Sequence, residues 1–484
     1  MKLPSLQEMG REFVRLFSRF PLVVIDALVG TCAALILIEQ QGPQQPTVFV
    51  NILMAAGLGF PLLLSLALVA EKRNWSKYVA MTVQAVGVIL LIAYGCTIPS
   101  FLDNAPSVHL MRFFLLLFGM ALFVVVAPFA RSREQNGQWH FTQMLVYRIV
   151  TAAFYAGVLQ AGLSLALLAL DQLFGIDIPD KRYGELWALL VGVFGACFFL
   201  AGVPEDLAKC EKENDYPKSL KLFARYILST VVLVYLLILY AYAFKIILAW
   251  SWPKGWVSTL ILGFSAAGLL TLWLLYPLRE QEENKWSRIL WKWFFIVWIP
   301  LIVMLPLAVW RRISEYGLTE GRYLALALAA YLVLLTIYYN LSKRKDIKVI
   351  PGLLCIMAVL ACYGPWSVFS ISANSQKTRL QQLLLKNSLL VNHSIQKTAT
   401  PVPAEDAVQI SSILSYLYER HGYETIQPWF AEALSKEVKG RLERLKPAEV
   451  SEKMGIEYLR GASQAWGDMR SLGSEKQDRL VVKG

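Results

Sequence analysis

WVSTLILGFSAAGLLTLWLLY, Trp256–Tyr276, runs for 21 residues without a charged side chain. A membrane-crossing helix needs about 20 apolar residues to pass a hydrocarbon layer of about 30 Å. The stretch is apolar on every side, so it is not a surface helix with one wet face. Ten further segments are predominantly apolar over a similar length: Phe20–Ile38, Val48–Ala70, Tyr78–Ile98, Leu110–Ala130, Leu145–Leu170, Leu186–Val203, Tyr226–Trp250, Trp293–Trp310, Tyr323–Asn340 and Val349–Phe369. Backbone groups in hydrocarbon must be paired within their own segment, and no alternating ten-residue pattern suggests a barrel. The fold class is therefore all-α, a polytopic transmembrane bundle of about 11 spans with a small, mainly helical C-terminal extramembrane domain.

Composition draws the same boundary. The chain has 484 residues, 56% hydrophobic and only 17% charged, against about 25% charged for soluble domains. By direct count, charged residues make up about a quarter of 371–484 but about a seventh of 1–370. Three regions follow: a basic, amphipathic N-terminal segment (1–19), a transmembrane domain (20–370) and an outer domain (371–484). In the first, Leu6, Met9, Phe13, Leu16 and Phe20 form an apolar row, and Arg11, Arg15 and Arg19 form an opposite row suited to anionic headgroups. In the last, helices are expected over Leu380–Leu390, from Val408 to a stop at Gly422, over Trp429–Leu445, and from Pro447 to Gly455.

The net charge of +12 sets orientation rather than nucleic-acid binding. Alternate loops carry Arg11/Arg15/Arg19, Lys72/Arg73/Lys77, Arg131/Arg133, Lys209/Lys212/Lys218/Lys221/Arg225, Arg279/Lys285/Arg288 and Lys343/Arg344/Lys345/Lys348. The intervening loops are poor in basic residues. The N-terminus is thus expected inside and the tail outside. One loop departs from the pattern, with Arg311, Arg312 and Arg322 on the expected outer side.

That loop is the first candidate site. Guanidinium groups match phosphate or carboxylate bidentately, so Arg311, Arg312 and Arg322, with Glu315 and Glu320, form a candidate anion or lipid-binding set. Internal pairing of those charges across the turn explains them equally well. An ionisable residue within a span is a functional hypothesis by default. Asp26, two turns into the first span, is a candidate ion-coupling group, and Asp171, where the fifth span ends, is a second. A buried hydrogen bond between helices accounts for Asp26 as readily. Gly57, Gly59 and Pro61 interrupt the second span, and Gly364 and Pro365 the last. Such breaks line transporter sites or serve as kinks.

Six cysteines and four histidines show no metal-ligand spacing. No metal site, cofactor or catalytic residue is assigned, and His393 and His421 read as isolated. The chain carries no Walker A sequence, dinucleotide fingerprint, HExxH or GxSxG, so catalysis is left open and disfavoured.

Several motifs occur together and in order: Leu170-Asp171-Gln172-Leu173-Phe174-Gly175, Ala201-Gly202-Val203-Pro204, Tyr216-Pro217-Lys218, Pro253-Lys254-Gly255-Trp256-Val257-Ser258, Trp310–Gly317 and Gly364-Pro365-Trp366-Ser367. In these the chain resembles an uncharacterised family of bacterial inner-membrane proteins, the domain of unknown function four-one-five-three. The resemblance implies a multi-pass protein of the bacterial inner membrane, with a cytoplasmic N-terminus and a periplasmic tail, and brings no activity or cofactor with it. The leading expectation is transport, or handling of lipid or envelope precursors, through an outer-face site. The expected partners are membrane lipids and a periplasmic protein contacting 371–484, with no nucleic acid. One rival is a membrane scaffold or sensor that presents the periplasmic domain. A second is a glycosyltransferase-like membrane enzyme.

Overall fold

A computed structural model of the chain describes residues 14–40, 47–99, 107–132, 136–207, 209–212, 216–249, 257–280, 285–396, 402–438 and 441–459. Pro253, Lys254, Gly255 and Trp256, and the apolar row from Leu6 to Phe13, lie outside those residues. Among the described residues, ten helices are long and apolar enough to cross a membrane. They are α1 (Pro21–Glu39), α2 (Val48–Lys72), α3 (Lys77–Thr97), α4 (Val108–Phe129), α5 (Asn136–Phe174), α6 (Lys181–Ala201), α7 (Lys218–Ala249), α8 (Val257–Leu274), α9 (Trp286–Ser314) and α10 (Glu320–Leu341). The protein is an all-helical multi-pass bundle.

Local chemistry sets where these helices begin and end. Pro21 opens α1 with its fixed φ and no N–H to satisfy. At α3, the Ser76 hydroxyl caps the Val79 N–H. α5 stops where Gly175 takes φ +64 and its N–H reaches the Asp171 carbonyl at 3.0 Å, a left-handed conformation that glycine enters without steric cost. Two helices contain a π-helical turn, Leu190–Gly195 within α6 and Phe223–Leu228 within α7.

The eleventh segment of the sequence reading, Val349–Phe369, is divided. Its regular helix, α11, covers Val349–Cys362, about 21 Å at 1.5 Å per residue. A turn with Gly364 at φ +90 follows, before α12 (Val368–Lys386) starts on a Ser367 cap. α11 nevertheless runs antiparallel along most of α4. Lys348 Nζ meets the Phe129 carbonyl at 3.3 Å, Cys355 Sγ meets Gly119 O at 3.2 Å, and Cys362 Sγ lies 4.0 Å from Arg112 O. Gly119 permits the approach, because a Cβ there would sit 3.4 Å from that of Ala358.

The chain divides into two compact units. The first is Met1–Ser100, Phe113–Trp310 and Ala325–Leu360, and the second is Phe101–Arg112, Arg311–Leu324 and Ala361–Gly484. In the first, helices meet through small residues and a few polar links. Arg19 is held by protein rather than turned to headgroups: it makes a bidentate pair with Glu71, each bond 2.8 Å, and donates to the carbonyls of Val203 and Pro204. Arg15 pairs with Glu205. The second unit has a water-type core of Leu380, Leu384, Leu389, Ile410, Leu414, Leu417, Ile426, Leu434, Val450 and Met454, all with no exposed surface.

That core is built by α12, α13 (Ala404–Arg420) and α14 (Pro447–Lys453) with two short hairpins. β1 (Leu390–Val391) pairs with β2 (Ser394–Ile395), and β3 (Ser435–Val438) with β4 (Arg441–Arg444), Ser435 facing Arg444. The helix expected over Trp429–Leu445 is therefore a hairpin. Gly440, in the middle of that stretch, disfavours a helix interior by about 1 kcal/mol relative to alanine. The expected stops hold at Gly422 and Gly455, both at positive φ.

Candidate functional site

The outer-loop set separates on folding. Arg311 and Arg312 are exposed at the end of α9. The helical turn continues past the end of α9 through Glu315, whose side chain is outside the described part of the structure. The half-buried Arg322 donates to the Gly317 carbonyl at 2.5 Å. Glu320 is 4% exposed, and its Oε1 lies 2.7 Å from Nε2 of His421. Tyr416 completes the group, its hydroxyl 3.1 Å from the same imidazole nitrogen. Burial first, then the Glu320 charge, pushes the Tyr416 hydroxyl up, so it stays protonated and available as a donor. Glu320 thus ties the loop to α13. No spacing in the sequence links 320 to 416 and 421, and His421 gave no local signal.

The same loop is fixed at two more points. Leu318 N–H donates to the Ser375 hydroxyl at 2.9 Å, and the Tyr323 hydroxyl donates to the Trp366 carbonyl at 2.6 Å. Two other motifs of the resemblance are joints as well. Gly202 has no side chain where Arg148 packs, and the Tyr216 hydroxyl donates to Leu274 O at 2.8 Å while its ring stacks on Trp139.

Asp26 lies half-buried on α1 against the backbone of Gly59 on α2, where a Cβ would overlap its carboxylate. Its Oδ2 is buried with no hydrogen-bond partner among the described residues. Two residues on, Pro61 sits inside α2. Having no N–H, it leaves the Gly57 carbonyl without its helical donor. Asp171 is different: it lies in the last turn of α5, with its Oδ2 accepting from Gln172 at 3.1 Å.

A further feature was not legible as a site. A cavity of about 470 Å³ opens between α7, α8 and α9, within the first unit. Its walls are mostly apolar, including Leu236, Phe264, Phe294 and Val297, with Arg225 and Trp286 toward one end. Leu233, Ile289 and Trp293 line it and are more than half exposed, so the mouth opens sideways through the outer surface of the helices. Gly268 admits the Phe294 ring, which a Cβ would displace. In the sequence Arg225 counted only toward the inner-loop charge, and Trp286 as one of many interfacial aromatics. Among the described residues no group of three or more His, Cys, Asp or Glu could hold a metal ion.

Ten long apolar helices define a multi-pass membrane protein. The chain belongs to the family described as "Domain of unknown function (DUF4153)", whose sequence profile matches residues 27–401. It is similar to an uncharacterised protein of Pasteurella multocida (strain Pm70), 24% identical over 359 residues. That match covers 74% of this chain and 59% of the relative, so it spans less than two thirds of the relative's length. No solved structure matches.

Proposed function

We propose that the protein binds and handles a membrane-borne amphiphile, a lipid or an envelope precursor, taken sideways from the bilayer into the cavity between α7, α8 and α9. The cavity carries this reading. Its volume of about 470 Å³ falls within the roughly 300–1,000 Å³ of small-molecule pockets, and its mouth is formed by exposed Leu233, Ile289 and Trp293. Purified full-length protein should retain lipid stoichiometrically. Leu233→Trp and Ile289→Trp, which narrow the mouth from exposed positions, should lower that content. Unchanged lipid content in both variants would remove the reading.

The orientation belongs to the same proposal: bacterial inner membrane, N-terminus inside, tail in the periplasm. Contacts among loops expected on one side support it. Arg19, Glu71 and Val203 meet, as do Lys348 and Phe129, all from segments expected inside. Lys181 pairs with Glu39 at 2.7 Å, and Ser107 N–H donates to the Glu419 carbonyl at 3.1 Å, all from segments expected outside. The exposed Arg311 and Arg312 add a second, outer anion-contacting surface, tested by their exchange for Gln. A scaffold reading is favoured by the separate core of the second unit, which would present a periplasmic protein partner with a folded surface.

A further inference from the structure

We propose that the amphiphile is anionic, with an acyl chain along the cavity between α7, α8 and α9 and a phosphate-bearing headgroup held by the Arg225 guanidinium and the Trp286 indole N–H. This rests on the amphiphile reading above and names its chemical class.

The polarity of the cavity runs lengthwise. Arg225 and Leu236 lie eleven residues apart on α7, roughly 16 Å of helix, and Trp286 and Val297 lie as far apart on α9. Between them α8 contributes Thr271 and Leu272 toward one end and Phe264 toward the other. At the far end the walls are Leu236, Phe264, Phe294, Val297 and Trp298, and the Trp298 N–H is already bonded to the Ser265 hydroxyl at 3.2 Å. That end offers a ligand nothing but hydrocarbon contact.

At the near end the two hydroxyls are already bonded to backbone carbonyls, and the indole N–H of Trp286 is not. The hydroxyls of Ser229 and Thr271 donate to the carbonyls of Ala224 and Ala267 at 2.7 Å each. Trp286 Nε1 is buried and has no hydrogen-bond partner among the described residues. Buried indole N–H groups ordinarily find one. An interfacial tryptophan would turn this group to water, whereas here it is enclosed. Arg225 packs its guanidinium over the Trp286 ring at 5.3 Å and the Tyr226 ring at 5.1 Å. Among the described residues no carboxylate forms an ion pair with it. The π-helical turn Phe223–Leu228 carries Arg225, and such turns redirect side chains, frequently at functional sites. A planar cation and a nearby N–H, beside a long apolar slot, match a phosphate oxygen pair followed by an acyl chain. Both residues sit at the ends of helices that emerge from basic loops, the side on which anionic headgroups are enriched.

The test uses the full-length protein in detergent micelles, with native mass spectrometry counting bound lipid. The probes are dioleoylphosphatidylglycerol, dioleoylphosphatidylcholine and dioleoylglycerol. Phosphatidylglycerol should be retained about tenfold over the other two, the scale of one charge-assisted contact. Arg225→Gln should bring the three to near parity, Arg225→Lys should keep most of the preference, and Trp286→Phe should weaken phosphatidylglycerol several-fold while sparing dioleoylglycerol. Glycerol 3-phosphate at millimolar concentration should not displace the lipid. Displacement would make this a free-anion site and overturn the chain assignment. Equal retention of all three probes by the wild type, or a preference that survives Arg225→Gln, overturns the headgroup assignment and leaves the amphiphile reading standing. Failure to retain any of the three, or retention indifferent to both Leu233→Trp and Ile289→Trp, overturns both.

Discussion

The two units treat buried carboxylates in opposite ways. In the second unit Glu320 meets His421 at 2.7 Å, and Asp406, 4% exposed, is held by Lys386 at 2.8 Å and by Asn387 at 3.0 Å. In the first, Asp26 faces the backbone of Gly59 and keeps a buried oxygen without a partner. Apolar surface divides likewise. Leu414 has no exposure in the second unit, while Leu237 of α7 is 62% exposed. One unit is built as a protein in water, with charges closed and leucines hidden. The other spends its leucines on an apolar surround and leaves one oxygen of Asp26 without a hydrogen-bond partner among the described residues.

The comparison breaks most sharply at the Glu320–His421 contact. His421→Ala leaves the Glu320 carboxylate buried alone and should cost about 3–5 kcal/mol, read as a lowered midpoint for the second unit and early proteolysis after residue 370. Replacing both Glu320 and His421 by Leu should recover most of that loss. Next comes one substitution made in two places. Leu414→Ala should cost about 2–5 kcal/mol, whereas Leu237→Ala should stay within about 0.5 kcal/mol. Equal effects in thermal unfolding would mean that α7 does not face lipid there.

Gly59→Ala places a methyl group on the Asp26 carboxylate and should cost about 1–3 kcal/mol by overpacking. Combining it with Asp26→Ala should be milder than Gly59→Ala alone, a coupling that a double-mutant cycle measures. A smaller effect concerns pH. Burial opposes ionisation of Asp406, but the hydrogen bonds from Lys386 and Asn387 and the Lys386 charge outweigh it, holding the carboxyl below its usual range. A depressed folded pKa stabilises above the unfolded value of about 3.9 and is lost as pH falls through the folded one. The second unit should therefore lose stability in that acid window, and Asp406→Asn should flatten the loss. The smallest change is expected from Arg311→Gln and Arg312→Gln, exposed positions worth within about 0.5 kcal/mol of stability. Any effect of theirs on lipid binding is then a site effect.

The spans, the basic loops, and the helix stops at Gly422 and Gly455 are legible in sequence because each is local: apolar length, loop charge and a backbone that only glycine enters freely. Asp26 is legible too, since a carboxylate in a span is conspicuous wherever the helix packs. Tertiary structure alone decided three things. Pairing along α4 lets the fourteen-residue α11 follow a neighbour that its own length would not predict. Glu320 is buried against His421 instead of standing beside Arg311 and Arg312, because its partners come from the end of α13, far along the chain. The lateral cavity arose from spaces between three helices, and its donors, Arg225 and Trp286, look in sequence like any inner-loop charge and any interfacial aromatic. Composition and periodicity report what a segment dissolves in. What its side chains meet depends on which other segments arrive beside them.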